Sequence, residues 1–205
     1  MKKISLTFSI TFILFTFISG CSLDKGISLD ELIIETVDNK SIHYLDGKPY
    51  SGMVYKFAED GESLLMEFNL LEGLIHEGYS EYNLNGSLVH SMFYQNGVLN
   101  GLEEKYYDNG QLYESVNYIN GNFQGKRMVY WSNGILKEQN YFSKGILGGE
   151  NLFYFSNGKL RKRFKFDLQG RKDGVWEDFF SSGALKQQVV YKNGKILETT
   201  DSNEN

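Results

Sequence analysis

One cysteine, one proline and three histidines stand in 205 residues. A single thiol makes no intramolecular disulfide and no thiolate metal cluster. One proline, Pro49, excludes a Pro-rich linker, and nothing repeats as collagen does. His43, His76 and His90 form no HExxH, no closely spaced metal pair and no triad with serine and aspartate, so they are read as strand-face residues and no metal is expected. Basic residues are the minority, 21 against 26 acidic, and no lysine-rich stripe dominates, which argues against nucleic acid as a partner. The acidic doublets Glu103-Glu104 and Glu177-Asp178 are adjacent, and adjacent residues of a strand point to opposite faces rather than across one bond. The chain is therefore read as non-enzymatic and without a cofactor.

The first 20 residues have the anatomy of an export signal: Lys2 and Lys3, then an apolar run from Ile4 to Ile18 broken only by serine and threonine. The run ends at Ile18-Ser19-Gly20-Cys21, which resembles the lipobox of bacterial lipoproteins. That resemblance implies cleavage between Gly20 and Cys21, a thioether diacylglycerol and an acylated amino group on Cys21, and a chain anchored to a membrane without spanning it. Ser22 after the cysteine implies the outer membrane in a diderm host, so the expected location is the cell envelope. Residues 21–40 are read as the lipidated residue and a tether leading into a first strand or short helix.

Twenty-two glycines and 15% aromatics favour strands cut by tight turns. The glycines fall in two series. Gly61, Gly86, Gly110, Gly134, Gly158 and Gly183 are 24 or 25 residues apart, and so are Gly73, Gly97, Gly121, Gly145, Gly170 and Gly194. Asp60, Asn85, Asn109, Asn133, Asn157 and Ser182 precede the first series, which predicts type I′ turns there and six hairpins. Aromatics lie four positions before each of these glycines, and Tyr94, Tyr118, Phe142, Phe166 and Tyr191 eight positions after. Simple alternation places Leu112, Val116 and Tyr118 on one face and Tyr113, Ser115 and Asn117 on the other, with the columns stacking between copies. Residues 44–52 read as a half unit opening the array. The expected fold is all-β: one elongated array of antiparallel β-hairpins over residues 41–197, with a frayed polar tail at 198–205.

The pattern Gly125, four residues, Tyr130, then Asn133-Gly134-Ile135-Leu136, Phe142 and Gly145 resembles the MORN repeat variant of bacteria. The resemblance runs over residues 44–197, implies hairpins forming a single twisted sheet, and implies a binding or scaffold role. Some relatives carry an antitoxin label.

Two surfaces stand out. Tyr107, Trp131, Phe155 and Phe180, three positions before the turn glycine, are expected to face opposite to Tyr106, Tyr130, Tyr154 and Phe179, as an aromatic stripe suited to protein or glycan contact. Such a stripe also protects a single-layer sheet without any ligand. The basic cluster around Arg161, Arg163 and Lys165 is expected on one face, as an anionic-ligand patch or simply a solvated face. The leading expectation is an anchored scaffold that binds a protein. The alternatives are an immunity or antitoxin-like protein neutralising a cognate toxin, and a surface glycan-binding protein.

Overall fold

The computed structural model describes residues 26–202. The signal segment, its Gly20–Cys21 cleavage site, the start of the tether and residues 203–205 lie outside the described residues.

The strands are β1 (Ile27–Ser28), β2 (Ile33–Val37), β3 (Lys40–Leu45), β4 (Lys48–Pro49), β5 (Gly52–Phe57), β6 (Leu64–Leu71), β7 (Leu74–Tyr82), β8 (Leu88–Gln95), β9 (Val98–Tyr106), β10 (Leu112–Ile119), β11 (Asn122–Tyr130), β12 (Leu136–Ser143), β13 (Ile146–Tyr154), β14 (Leu160–Phe166), β15 (Gly174–Phe179), β16 (Leu185–Lys192) and β17 (Lys195–Asp201). One 3-10 turn, Leu29–Glu31, follows β1, and no α-helix occurs among the described residues. Strands β5 to β17 pair in chain order, each antiparallel to the next. With β1 added in parallel against β5 they make one open 14-stranded sheet. The all-β hairpin array read from the sequence is the architecture observed.

The half unit at the amino-terminal end behaves differently from the full copies. Its β3–β4 hairpin joins β2 in a separate three-stranded sheet. It docks on the array through Gly73, whose N–H donates to Tyr50 O and whose O accepts from His43 N. The buried His43 ring lies 5.8 Å from Phe68, with its Nδ1 2.9 Å from Gly73 O. At the other end β17 runs to Asp201, so residues 198–201 are strand rather than frayed tail. All seven of its residues are exposed.

Every connection between neighbouring strands of the array is a hairpin, so the second glycine series turns the chain as well as the first. Except at Gly170, whose loop is closed by Asp167 N–H to Arg171 O and Gly170 N–H to Asp167 O, this second series makes the two-residue turns. Asn96 (φ 51°), Asn120 (φ 50°), Lys144 (φ 50°) and Asn193 (φ 52°) stand left-handed before Gly97, Gly121, Gly145 and Gly194, the pair of positive φ angles that type I′ demands. The first series makes three-residue loops instead, with one residue more in the loop at Gly61, where Ala58 N–H donates to Ser63 O. Around Gly110, for example, Tyr107 N–H donates to Gln111 O and Gly110 N–H to Tyr107 O, leaving only the glycine left-handed. Asn-Gly fits both geometries, so the dipeptide alone does not choose between them.

With the Gly170 loop as the exception, the two turn types occupy opposite edges of the sheet, and each edge is stitched along its length. On the tight-turn edge, Gly97, Gly121 and Gly145 donate to Ile75 O, Leu99 O and Phe123 O of the preceding copy. On the loop edge an asparagine uses both halves of its amide. Asn109, Asn133 and Asn157 accept at Oδ1 from the N–H two residues on within their own loops. Through Nδ2 they donate to Ser132 O, Ser156 O and Ser181 O of the next copy, at 3.1–3.2 Å. Aspartate keeps the first bond and sets a carboxylate against a carbonyl in the second. Asn133→Asp is therefore expected to cost about 1 kcal/mol, read as a lower urea midpoint, while Asn117→Asp, mid-strand and outside this ladder, leaves the midpoint nearly unchanged.

Each three-residue loop is followed by a bulge that shifts side-chain phase. Leu112 pairs with Tyr106 but Glu114 with Lys105, so Tyr113 is the extra residue. The same slip occurs at Lys137, Arg161 and Lys186. One unbroken row of paired residues, Val54, Phe68, Tyr79, Met92, Glu103, Val116, Arg127 and Asn140, defines the front face. Another, Ser80, Ser91, Glu104, Ser115, Met128, Gln139, Leu152, Arg163, Glu177, Gln188 and Thr200, defines the back. Leu112 lies with Tyr106 behind the slip, so it does not share a face with Val116 and Tyr118 as plain alternation predicted.

The buried apolar side chains, Val54, Phe68, Leu70, Val116, Val129 and Phe164, all belong to the front. Front aromatics from successive strands fill in beside them. Phe123 lies 4.9 Å from Tyr118 and 5.1 Å from Phe142, and Trp176 lies 5.2 Å from both Phe166 and Tyr191. The expected stacking thus runs through residues of the intervening strands. Back-face tyrosines bond to neighbouring carboxylates instead, Tyr82 to Glu67 and Tyr106 to Glu104.

Candidate recognition site

Two features of the front face concern function: a line of charges through its middle and a row of rings and cations along its loop edge. The line of charges spans six strands. His90 Nε2 lies 2.8 Å from Glu103, Lys105 Nζ bridges Glu103 and Glu114 at 3.3 and 3.5 Å, and Arg127 holds Glu114, Glu138 and Asn140. The row ends at Asn140 and the fully buried Asn151, whose amides bond to each other.

Burial alone would push the pKa of Glu103 up. Hydrogen bonds from Tyr118 and His90, with Lys105 close by, outweigh that and hold its carboxyl below the usual glutamate range. Tyr118 is pushed up, first by burial and then by its bond to Glu103, so it keeps its proton as donor. Because the carboxyl of Glu103 is more acidic folded than unfolded, its contribution is complete above the unfolded value of 4.5 and is lost as pH falls through the lower folded value. Wild type is expected to lose stability between about pH 5 and about pH 3 more steeply than Glu103→Gln, as measured by urea unfolding. These groups are saturated with one another, and the described residues hold no cluster of three or more potential metal ligands. The line of charges is a structural spine.

The loop edge is different. Tyr107, Trp131, Phe155 and Phe180 each donate a backbone N–H to close a three-residue loop, which fixes them at one height along the edge. Six residues after each comes the bulged position. Because the slip turns that side chain forward, it meets the ring. The Tyr113 ring centre lies 5.1 Å from Tyr107, Lys137 Nζ 4.6 Å from the Trp131 ring, and Lys186 Nζ 5.7 Å from the Phe180 ring. The Arg161 guanidinium lies 5.9 Å from Phe153, a front-face residue paired with Lys162. An open depression of about 400 Å³ is lined by Phe155, Arg161, Lys162, Asp178, Phe179 and Lys186. A second, of about 350 Å³, extends it past Phe180 to Gln187 and Asp201.

The expected basic patch is thereby split. Arg161 stands on the front with the aromatic stripe, while Arg163 and Lys165 stay on the back, because the bulge at Arg161 breaks the alternation that would have united them. Arg163 is bonded to Glu177 through Nε at 2.8 Å and a second, shorter contact. It is occupied rather than presented. Lys137 and Lys186 were not singled out from the sequence, although each lies six residues after a stripe aromatic, the one signal that marks them.

An open sheet of stacked hairpins, each copy resting on its neighbours, defines a repeat protein. Within it, residues 99–120 and 172–199 match the MORN repeat variant family. The first stretch is the β9–β10 hairpin and the second covers β15 to β17. The match agrees with the resemblance at two copies and with a binding or scaffold type of protein. No curated protein sequence matches the chain.

Proposed function

We propose that this is a non-enzymatic lipoprotein, held at the cell envelope through Cys21, that uses the front of its loop edge to bind another protein. The observation that carries the reading is the aromatic stripe. Closing the loop does not require a ring, since Asn83 makes the same backbone bond in the second copy and Ala58 closes the slightly longer loop of the first. Large rings appear only in the four later copies, all at one height and beside the bulged residue. Half-buried aromatics next to arginine and lysine are the composition of an interface centre. The anchor reading rests on the lipobox resemblance, and an anchored chain needs no tight affinity to meet partners confined to the same envelope.

The test is crosslinking in living cells with the tagged full chain, beside a Trp131→Ala, Phe155→Ala variant confirmed to melt at a similar temperature. One dominant crosslinked protein, lost in the variant, is the expected result. A toxin in that band selects the immunity reading of the same surface. Recovery of abundant bystanders alone, equal in both chains, overturns protein recognition, and variant-sensitive capture of a carbohydrate replaces it with glycan binding.

A further inference from the structure

The loop edge changes character along the array. Bulged residues are Leu65 and Val89 in the first two copies and Tyr113 in the third, and they become Lys137, Arg161 and Lys186 in the last three. None of these three cations forms an ion pair among the described residues. The carboxylates nearest them in the row are engaged: Glu138 with Arg127 at 3.4 Å and Asp178 with Lys162 at 3.3 Å. In a protein with net charge −5 the result is a short row of cations without ion-pair partners.

Its spacing is set by the sheet. The bulges lie on β12, β14 and β16, so consecutive cations are two strands apart, about 9.6 Å, and the outer two about 19 Å. A polyproline II helix repeats every three residues and rises about 9.3 Å per turn, so two turns cover about 18.6 Å. An acidic residue at every third position of such a segment repeats at nearly the interval of the three bulged backbone positions, from which the long lysine and arginine side chains reach it. The other two residues of the turn between Arg161 and Lys186 meet the depression that Phe155 lines, and a second depression continues it past Phe180. Aromatic-lined surfaces are where extended, preformed segments of this kind dock. A sugar polymer is less well served, because Lys137 already lies over the Trp131 ring on which a sugar would stack.

We infer that Lys137, Arg161 and Lys186 bind an acidic segment of a partner protein in the polyproline II conformation, one carboxylate per turn. The inference rests on the protein-recognition reading and specifies its partner. The probe is a fluorescein-labelled (Glu-Pro-Pro)4 peptide titrated against the full chain in detergent and followed by anisotropy. Its control is a peptide of the same composition with the four glutamates in one block.

The repeating peptide is expected to bind at least about tenfold more tightly than the block. Affinity should fall with added salt, and about tenfold or more in Lys137→Gln, Arg161→Gln, Lys186→Gln. The single change Lys165→Gln, on the back face, is expected to leave binding unchanged. Circular dichroism melting confirms that the variants are folded. Equal affinity for the two peptides, absence of saturable binding, or equally tight binding of an oligogalacturonate of matched charge overturns the inference. If the cellular crosslink depends on Trp131 and Phe155 while the peptide fails, only this inference falls and protein recognition stands.

Discussion

Replacing Arg127 with leucine is expected to lower the unfolding free energy by about 2–3 kcal/mol, the largest effect of any single surface-strand change in this protein. Arg127 is the one cation that Glu114, Glu138 and Asn140 share on the front face. Its neighbours along the strand and across it, Val129 and Val116, are each 2% exposed. Without the guanidinium, two carboxylates face each other beside apolar side chains, with only Lys105 left near one of them at 3.5 Å. The figure lies below the about 3–5 kcal/mol of a fully buried broken pair because the Arg127 side chain keeps 24% of its exposure. Urea unfolding followed by tyrosine and tryptophan fluorescence measures it. Adding Glu114→Leu is expected to recover part of the loss, since the unpaired charge is then removed along with its partner. A loss below about 0.5 kcal/mol would show that this row is solvated and that the front face is held by its aromatics alone.

Cys21→Ser is expected to abolish incorporation of labelled fatty acid, an all-or-none result. A hydroxyl does not replace the thiolate that forms the thioether, and Cys21 is the only cysteine in the chain. Among the described residues no helix is long and apolar enough to cross a membrane. In the proposed reading the attached lipid therefore supplies the hold, at about 0.8 kcal/mol per buried methylene. Growth with labelled palmitate followed by gel fluorography decides it. Label retained in the serine form refutes lipidation at this residue.

The repeat was legible because glycine is nearly irreplaceable at positive φ, so both series had to remain in the sequence at the period of the fold. Gly121 and Gly145, after left-handed Asn120 and Lys144, are the plainest cases. Turn type was less legible. Asn-Gly serves both edges, and Lys144 takes a left-handed conformation with no mark in its residue type. The bulge was not legible at all from single positions, since leucine, valine, tyrosine, lysine and arginine all occupy it. What it selects is backbone geometry, set by the loop before it. That hidden residue separated Leu112 from Val116 and Arg161 from Arg163, and it joined two surfaces that the sequence presented as distinct. Between a stripe aromatic and the residue before it, such as Tyr107 and Tyr106, no bulge intervenes, so plain alternation applies there.

The two ends of the sheet are not equivalent. At one, β1, the 3-10 turn and the small sheet cover β5, with Ile27, Leu29 and Leu32 packed on Val54 and Phe68. At the other, β17 shows its outer side with Ile196 and Leu197 61% and 67% exposed. Nothing in the geometry of an open ladder fixes how many rungs it has, in contrast to a barrel, whose closure does. A further hairpin added after Asp201 would prolong the array and leave the β16–β17 pairing in place. The same addition ahead of β5 would have to displace a plug. The uncovered edge is thus the one where a further hairpin would find unpaired backbone, and the positive row stands toward that side.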